Sequence, residues 1–138
     1  MILVVDANCL LQLLPSISRY HWVWDYFRER RFYWAFTTEI LLKYEEVFSR
    51  WAPTNVVHST IRALVDSPNG IKVVPSYFWR VISQDKDDNK YFDCAVAANA
   101  NYIVSDDRHF SVLEKTDFPK MERLKIKELE PSMFNKKS

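Results

Sequence analysis

Carboxylate side chains stand just beyond the ends of the predicted strands in this 138-residue chain. They are Asp6, Glu39, Asp85, Asp87, Asp88, Asp93, Asp106 and Asp107. In a parallel sheet, functional groups gather beyond the carboxyl ends of the strands, which meet at one edge. We therefore expect four separate strand ends to bring carboxylates together. For any one of these acids, the simpler interpretation is that it caps the next helix.

Like charges that are packed together repel unless a cation compensates them. Carboxylate oxygens without histidine or cysteine prefer hard cations such as Mg²⁺ or Mn²⁺. The three histidines, His21, His58 and His109, are scattered and lack the spacing of zinc ligands. The acids therefore predict a Mg²⁺ or Mn²⁺ site. Such a site activates a water for in-line attack on a phosphate ester and stabilises the leaving oxygen.

Predicted strands and helices alternate along the chain and would position these acids. The predicted strands are 2–5, 32–36, 71–74, 102–104 and 124–126. The predicted helices are 38–50, with Thr38 as N-cap, and 54–66. A third predicted helix is capped by Asp87 or Asp88 and reaches residue 100. This alternation predicts a single-domain, three-layer α/β/α fold with a central, mostly parallel sheet. We expect the domain to span 1–134, followed by a flexible tail at 135–138.

Composition excludes several classes of function. A single glycine, Gly70, rules out the glycine-rich loops that bind nucleotide phosphates. Cys9 and Cys94 lie in apolar runs and are expected to be reduced thiols. Asp6 and Asn8 interrupt the apolar opening stretch, which argues against a signal peptide or membrane span. We therefore expect a cytoplasmic protein that is not in a membrane.

Three segments together resemble the PIN-domain nucleases, and particularly the bacterial PIN proteins that act as toxins of toxin–antitoxin pairs. They are Val-Val-Asp-Ala-Asn-Cys-Leu at 4–10, Asp-Lys-Asp-Asp-Asn-Lys-Tyr-Phe-Asp-Cys-Ala at 85–95, and Tyr-Ile-Val-Ser-Asp-Asp at 102–107. The resemblance implies a PIN-like fold and a Mg²⁺- or Mn²⁺-dependent endoribonuclease acting on RNA. It also implies a homodimer and an antitoxin protein as partner.

The resemblance extends to particular positions. It implies that Asp6, Asp93 and Asp107 bind the metal and act in catalysis. It leaves Asp88 as either a metal ligand or a helix cap, and it makes Asp106 a neighbour of the site. Supporting roles would fall to Asn8, Glu46 and Ser105, which would orient the acids.

The chain departs from the family pattern at Lys43, where this branch usually has a glutamate. Glu39 or Glu46 lies on the same helix face and could supply the missing carboxylate, with Glu39 the preferred catalytic candidate. Alternatively, Lys43 pairs with the acids and weakens metal binding. The protein would then be a catalytically impaired RNA-binding or antitoxin-binding relative.

Cationic groups must hold an RNA backbone close to such acids. Lys90 and Arg108 adjoin the predicted metal ligands and are expected to bind substrate. The aromatic segments 20–26 and 78–79 either stack on unpaired bases or form core or partner surface. An aspartyl-phosphate phosphatase or receiver is a further alternative, although Asn8 stands where its second aspartate would be.

Overall fold

The computed structural model describes residues 1–134 and contains one sheet of five parallel strands. The strands are β1 (Ile2–Val5), β2 (Tyr33–Phe36), β3 (Gly70–Lys72), β4 (Tyr102–Val104) and β5 (Glu122–Leu124), in the order β3-β2-β1-β4-β5. The central strand β1 pairs with β2 and β4, so Leu3 lies opposite both Trp34 and Tyr102. The carboxyl ends of β1 and β4 are therefore neighbours. The predicted tail at 135–138 lies outside the described residues.

Helices cover the sheet. They are α1 (Ala7–Leu13), α2 (His21–Arg28), α3 (Thr38–Phe48), α4 (Thr54–Asp66) and α5 (Asn89–Ala98), with 3₁₀ segments at Lys86–Asp88, Arg108–Lys115, Ile126–Glu128 and Pro131–Phe134. Helix α1 contacts α2 and α3, α3 contacts α4, and α5 packs across β1, β2 and β4. Right-handed crossovers place α1–α4 on one face and α5 on the other. The predicted three-layer α/β/α class is confirmed.

Several predicted boundaries are wrong by a few residues. Thr37 rather than Thr38 caps α3, because its hydroxyl accepts a hydrogen bond from the Ile40 N–H at 3.1 Å. Helix α5 ends at Ala98, where Asn99 adopts a left-handed conformation with φ of 54°. Strand β3 ends two residues early, and β5 lies at 122–124 rather than 124–126. The sequence reading assigned neither α1 nor α2.

The aromatic segment 20–26 belongs to the core layer on the α2 side. Trp22 and Tyr26 both pack edge-to-face on Phe134, and Trp24 packs in the same way on Trp34. Such pairs contribute about 0.5–1.5 kcal/mol beyond the area they bury. The core interpretation of this segment is therefore confirmed.

Two buried tyrosines from opposite layers hold the turn between β1 and α1. The Tyr44 hydroxyl of α3 donates to the Val5 carbonyl and accepts from the Trp34 indole N–H at 3.2 Å. The Tyr91 hydroxyl of α5 accepts from the Ala7 N–H at 3.2 Å. The backbone on both sides of Asp6 is thus hydrogen-bonded to side chains that are at most 2% exposed.

The single glycine has a steric role. A Cβ at Gly70 would lie 2.0 Å from the Leu64 carbonyl oxygen, so only glycine allows α4 and β3 to approach this closely. Among the described residues, no helix combines the length and the apolar character needed to cross a membrane.

Candidate metal centre

A hydroxyl links the carboxyl ends of β1 and β4. Asp6 caps α1 by accepting from the Asn8 N–H at 3.1 Å, and its other oxygen accepts from the Ser105 hydroxyl at 2.6 Å. The same hydroxyl accepts from the Asp107 N–H at 3.0 Å. Ser105 is fully buried. It therefore fixes Asp6 relative to the loop that carries Asp107.

Four residues direct potential metal ligands to one point beside this link. They are Asp85, Asp88, Asp107 and His109, whose ligand atoms all lie within 4.8 Å of one another. Asp85 and Asp88 flank the 3₁₀ turn before α5, and Asp107 and His109 lie at the start of the 3₁₀ segment after β4. We call these four residues the acid–histidine cluster.

Two atoms of the cluster are buried without a hydrogen bond. Within residues 1–134, Asp88 Oδ2 and His109 Nδ1 are the buried side-chain nitrogen and oxygen atoms that lack a hydrogen-bond partner. The side chain of Asp88 is only 9% exposed. Leaving a buried polar atom unpaired costs about 1–3 kcal/mol. A divalent cation that accepts lone pairs from both atoms would remove this cost, so the residues present fit a metal ion.

Burial and mutual interaction shift the pKa values of the acids in and beside the cluster. Burial, followed by the interactions with Asp107, raises the pKa of Asp88 to about 8. Burial also acts to raise the pKa of Asp107, but the His109 N–H and the Asp88 carboxyl outweigh it and lower that pKa below its ordinary value. The pKa values of these two interacting carboxyls are thus driven apart, upward for Asp88 and downward for Asp107. Burial raises the pKa of Asp6, and the Ser105 hydrogen bond opposes the shift.

Asp93 and Glu39 lie apart from the acid–histidine cluster. Asp93 is buried and accepts from the Trp79 N–H at 3.0 Å. Burial raises the pKa of Asp93, and the charge of exposed Glu39 adds to the rise. Both acids line a groove of about 900 Å³ that also includes Phe78 and Arg80. The sequence predicted Asp93 as a metal ligand with Asp6 and Asp107; it lines this groove and is not one of the four residues of the acid–histidine cluster.

Lys43 and Lys90 both bind Asp87, which lies outside the cluster. Lys90 Nζ is 2.7 Å from Asp87 Oδ1, and Lys43 Nζ is 3.4 Å from Asp87 Oδ2. The hydrogen bond from Lys90 is the main reason that the pKa of Asp87 is lowered. The side chain of Lys90 is only 5% exposed, although it lines the groove. Its charge also opposes the rise in the pKa of Asp6, which shows that this cation lies near the acids.

The remaining predicted residues occupy different surroundings. Glu46 pairs with Lys43 at 3.8 Å and with Arg50 at 3.0 Å, away from the cluster. Asn8 is exposed and supplies its N–H to Asp6. Arg108 is exposed and lines a concavity of about 430 Å³ together with His109.

Asp106 contributes to the fold. Its two carboxylate oxygens accept from the Gln12 side chain at 3.1 Å and from the Ile126 N–H at 2.9 Å.

Arg123 of β5 hydrogen-bonds to the loop that carries Asp107. Its guanidinium donates to the carbonyls of Ser105 at 3.1 Å and Asp107 at 2.9 Å. The sequence reading did not identify this residue. A single arginine in a strand shows no sequence pattern that would predict hydrogen bonds to residues 16 and 18 positions earlier.

Sequence reasoning counted Asp85 among the strand-end acids but not among the metal ligands, and it gave His109 no role as a ligand. His109 follows Asp107 by two residues, and Asp85 precedes Asp88 by three. The available signal was this Asp-x-His spacing after a strand.

The fold and the site together define an α/β protein with a candidate divalent-metal centre at the carboxyl edge of its sheet. A family model described as PIN domain matches residues 2–109, which is most of the chain. The chain belongs to the PIN domain family, and this membership supports a nuclease-type hydrolase. No curated protein matches the chain. The matched residues end at His109, so β5 and Arg123 lie beyond them.

Proposed function

We propose that this protein is a divalent-metal-dependent endoribonuclease whose ion is held by the acid–histidine cluster. The observation that carries the proposal is the pair of buried, unpaired atoms, Asp88 Oδ2 and His109 Nδ1, beside Asp107. Membership in the PIN domain family supplies the class of reaction.

The residues of the chain divide the work of phosphodiester hydrolysis. Asp85, Asp88 and Asp107 would hold the ion, which when bound activates a water and stabilises charge on the leaving oxygen. Asp6 is fixed by Ser105 next to Asp107, where its carboxylate can accept the proton of an attacking water. Neither Cys9 nor Cys94 is exposed, which disfavours a covalent route through a thiol.

Cationic groups beside the cluster favour a nucleic-acid substrate. Exposed Arg108 and Lys115 share the concavity with His109, where they can neutralise phosphates next to the metal position. The aromatic side chains of Tyr77 and Phe78 are 61% and 66% exposed at or near the groove. Exposed rings suit stacking on unpaired bases, so we favour single-stranded RNA over duplex.

The same exposed rings also suit a protein partner. We therefore propose a toxin of a toxin–antitoxin pair that acts as a homodimer in the cytoplasm. Growth arrest on induced expression, relieved in an Asp107→Asn variant, tests the toxin role. Sedimentation equilibrium tests the dimer.

Cleavage of a labelled single-stranded RNA in Mn²⁺, in Mg²⁺ and in EDTA tests the nuclease. We expect cleavage with metal, none in EDTA, and losses of at least about a hundredfold in Asp6→Asn and Asp107→Asn. Asp66→Asn is the matched control, because this exposed residue lies at the end of α4 and pairs with Arg62. Full activity in both site variants would refute the mechanism.

A further inference from the structure

His109 occupies the position of a metal ligand rather than that of a hydrogen-bonded surface histidine. Its Nδ1 lies 3.2 Å from Asp107 Oδ1, 3.7 Å from Asp88 Oδ2 and 3.9 Å from Asp85 Oδ2. Neighbouring ligands of an octahedral ion with bonds of about 2.1 Å are about 3.0 Å apart. The distances from Nδ1 to the three oxygens therefore lie between those expected for neighbouring ligands and for opposite ligands of one such ion, which are about 3.0 Å and about 4.2 Å.

The local backbone fixes the ring in this place. Asp107 caps the 3₁₀ segment that follows it by accepting from the His109 N–H at 2.9 Å. The side chain is 27% exposed, while the Nδ1 atom itself is buried. One turn of 3₁₀ helix thus brings a nitrogen and a carboxylate to the same point.

A histidine that served only as a hydrogen-bonding neighbour of the acids would have its Nδ1 atom hydrogen-bonded to one of them. Nδ1 makes no such hydrogen bond within the described residues, although three carboxylates lie within 3.9 Å. Imidazole binds metal ions through a ring nitrogen that is left free in this way. The second, independent sign of a ligand is Asp88, whose 91%-buried side chain directs an unpaired oxygen to the same place.

We infer that His109 is a direct nitrogen ligand of the divalent ion and that it makes the site prefer Mn²⁺ or Co²⁺ to Mg²⁺. This inference rests on the proposed metal-dependent function and deepens it. Imidazole nitrogen suits first-row transition metals, whereas Mg²⁺ takes oxygen ligands almost exclusively. Three carboxylates alone would accept either type of ion.

The test is binding of Mn²⁺ and Mg²⁺ by calorimetry, together with pulsed EPR of the Mn²⁺ form to detect coupling to a ring nitrogen. Wild type is expected to bind Mn²⁺ at least about tenfold more tightly than Mg²⁺ and to show imidazole nitrogen coupling. In His109→Ala the coupling disappears, and Mn²⁺ affinity falls by at least about tenfold, more than Mg²⁺ affinity does. His109→Asp keeps a ligand atom, so it retains ion binding without the coupling and with less preference for Mn²⁺.

His58→Ala is the matched control, since His58 is exposed on α4, away from the cluster. Thermal unfolding in EDTA shows whether each variant folds. Imidazole coupling that persists in folded His109→Ala, or an unchanged Mn²⁺-to-Mg²⁺ ratio, would overturn the inference. Wild-type protein that binds Mn²⁺ with the coupling but cuts no RNA would refute the nuclease and leave the ligand assignment standing. Wild-type protein that binds neither ion would refute both.

Discussion

Asp88 combines two properties that rarely coexist in a carboxylate without a function. It is almost fully buried, and one of its oxygens has no hydrogen-bond partner within the described residues. Burial and the neighbouring Asp107 raise its pKa from 3.8 to about 8. Strongly perturbed groups of this kind cluster at functional sites because function requires the charge that folding opposes.

Asp88 is predicted to make the metal-free protein less stable as the pH rises. Below about pH 4 the carboxyl carries its proton in both the folded and the unfolded chain. Between that value and about pH 8 the unfolded chain loses the proton while the folded chain keeps it, so the free energy of unfolding falls. Asp88→Asn should therefore gain stability relative to wild type as the pH rises from 4.5 to 7.5.

Urea unfolding in EDTA at those two pH values measures this difference. Asp66→Asn, which alters an exposed carboxylate, should show no comparable trend. A stability difference between Asp88→Asn and wild type that is the same at both pH values would contradict the prediction.

Lys43 stands at the position where the family resemblance predicts a glutamate. Its ammonium lies 3.4 Å from Asp87 and 3.8 Å from Glu46, and neither residue belongs to the acid–histidine cluster. We expect Lys43→Glu to leave Mn²⁺ affinity within about threefold of wild type. The free energy of unfolding should fall by up to about 1 kcal/mol, because the new carboxylate faces Asp87 in a half-exposed setting.

Calorimetric titration of Mn²⁺ into wild type, Lys43→Glu and the neutral Lys43→Gln checks this expectation. A gain in Mn²⁺ affinity of tenfold or more in Lys43→Glu alone would instead favour the impaired RNA-binding or antitoxin-binding relative.

At the scale of elements, α3 and α5 clamp the turn that presents Asp6 through the hydroxyls of Tyr44 and Tyr91. Tyr91→Phe leaves the Ala7 N–H without its buried partner, which should cost about 1–3 kcal/mol in the free energy of unfolding. Tyr33→Phe is the control, because Tyr33 is 49% exposed and should change stability by less than about 0.5 kcal/mol. Urea denaturation compares them, and equal losses in both variants would count against the clamp.

Strand β5 positions the site through Arg123, whose guanidinium binds the carbonyls of Ser105 and Asp107. Arg123→Met keeps the aliphatic length but removes both hydrogen bonds, so Asp107 is held less firmly. We expect RNA cleavage to fall about 10–100-fold, mainly in kcat, with Mn²⁺ affinity reduced in parallel.

Arg62→Met provides the comparison for Arg123→Met, since the Arg62 side chain is 82% exposed on α4. Steady-state kinetics with the labelled RNA measures both variants. Unchanged kcat in Arg123→Met would show that the loop keeps its position without β5.

For the whole molecule, metal binding should appear as added stability. An ion that binds the folded chain alone adds about 2.7 kcal/mol at a concentration one hundred times its Kd. We expect Mn²⁺ to raise the Tm of wild type and EDTA to reverse the rise. Neither should affect a variant that carries Asp88→Asn and Asp107→Asn together. A full Mn²⁺ shift in that double variant would place the ion elsewhere.

Much of the fold could be predicted because its strongest signals are local. The apolar runs of β1 and β4, the proline at the start of α4 and the acids at strand ends are all visible in the sequence. Helices α1 and α2 were not predicted, because short helices depend on tertiary packing more than on intrinsic helix propensity. Strand β5 was predicted two residues too late, because Glu122 and Arg123 interrupt its apolar pattern at the edge of the sheet.

The site could be predicted only in part, for a geometric reason. The alternation of strands and helices along the chain was enough to predict a site at the carboxyl edge of the sheet. It also predicted Asp6 and Asp107 as acids at strand ends there. Which of Asp88 and Asp93 faces Asp107 depends on the 3₁₀ turn that precedes α5, and spacing alone does not reveal that turn. The orientation of His109 depends on a second 3₁₀ segment in the same way.

The two hydrogen bonds from Arg123 come from a part of the chain that lies beyond the family match. The family match ends at His109, and a chain cut there would retain all four residues of the acid–histidine cluster. It would lose the fifth strand and with it the anchor of the loop that bears Asp107. Such a fragment would carry all four cluster residues without the Arg123 hydrogen bonds that hold the Asp107 loop. The working unit of this protein is therefore longer than the part by which its family is recognised.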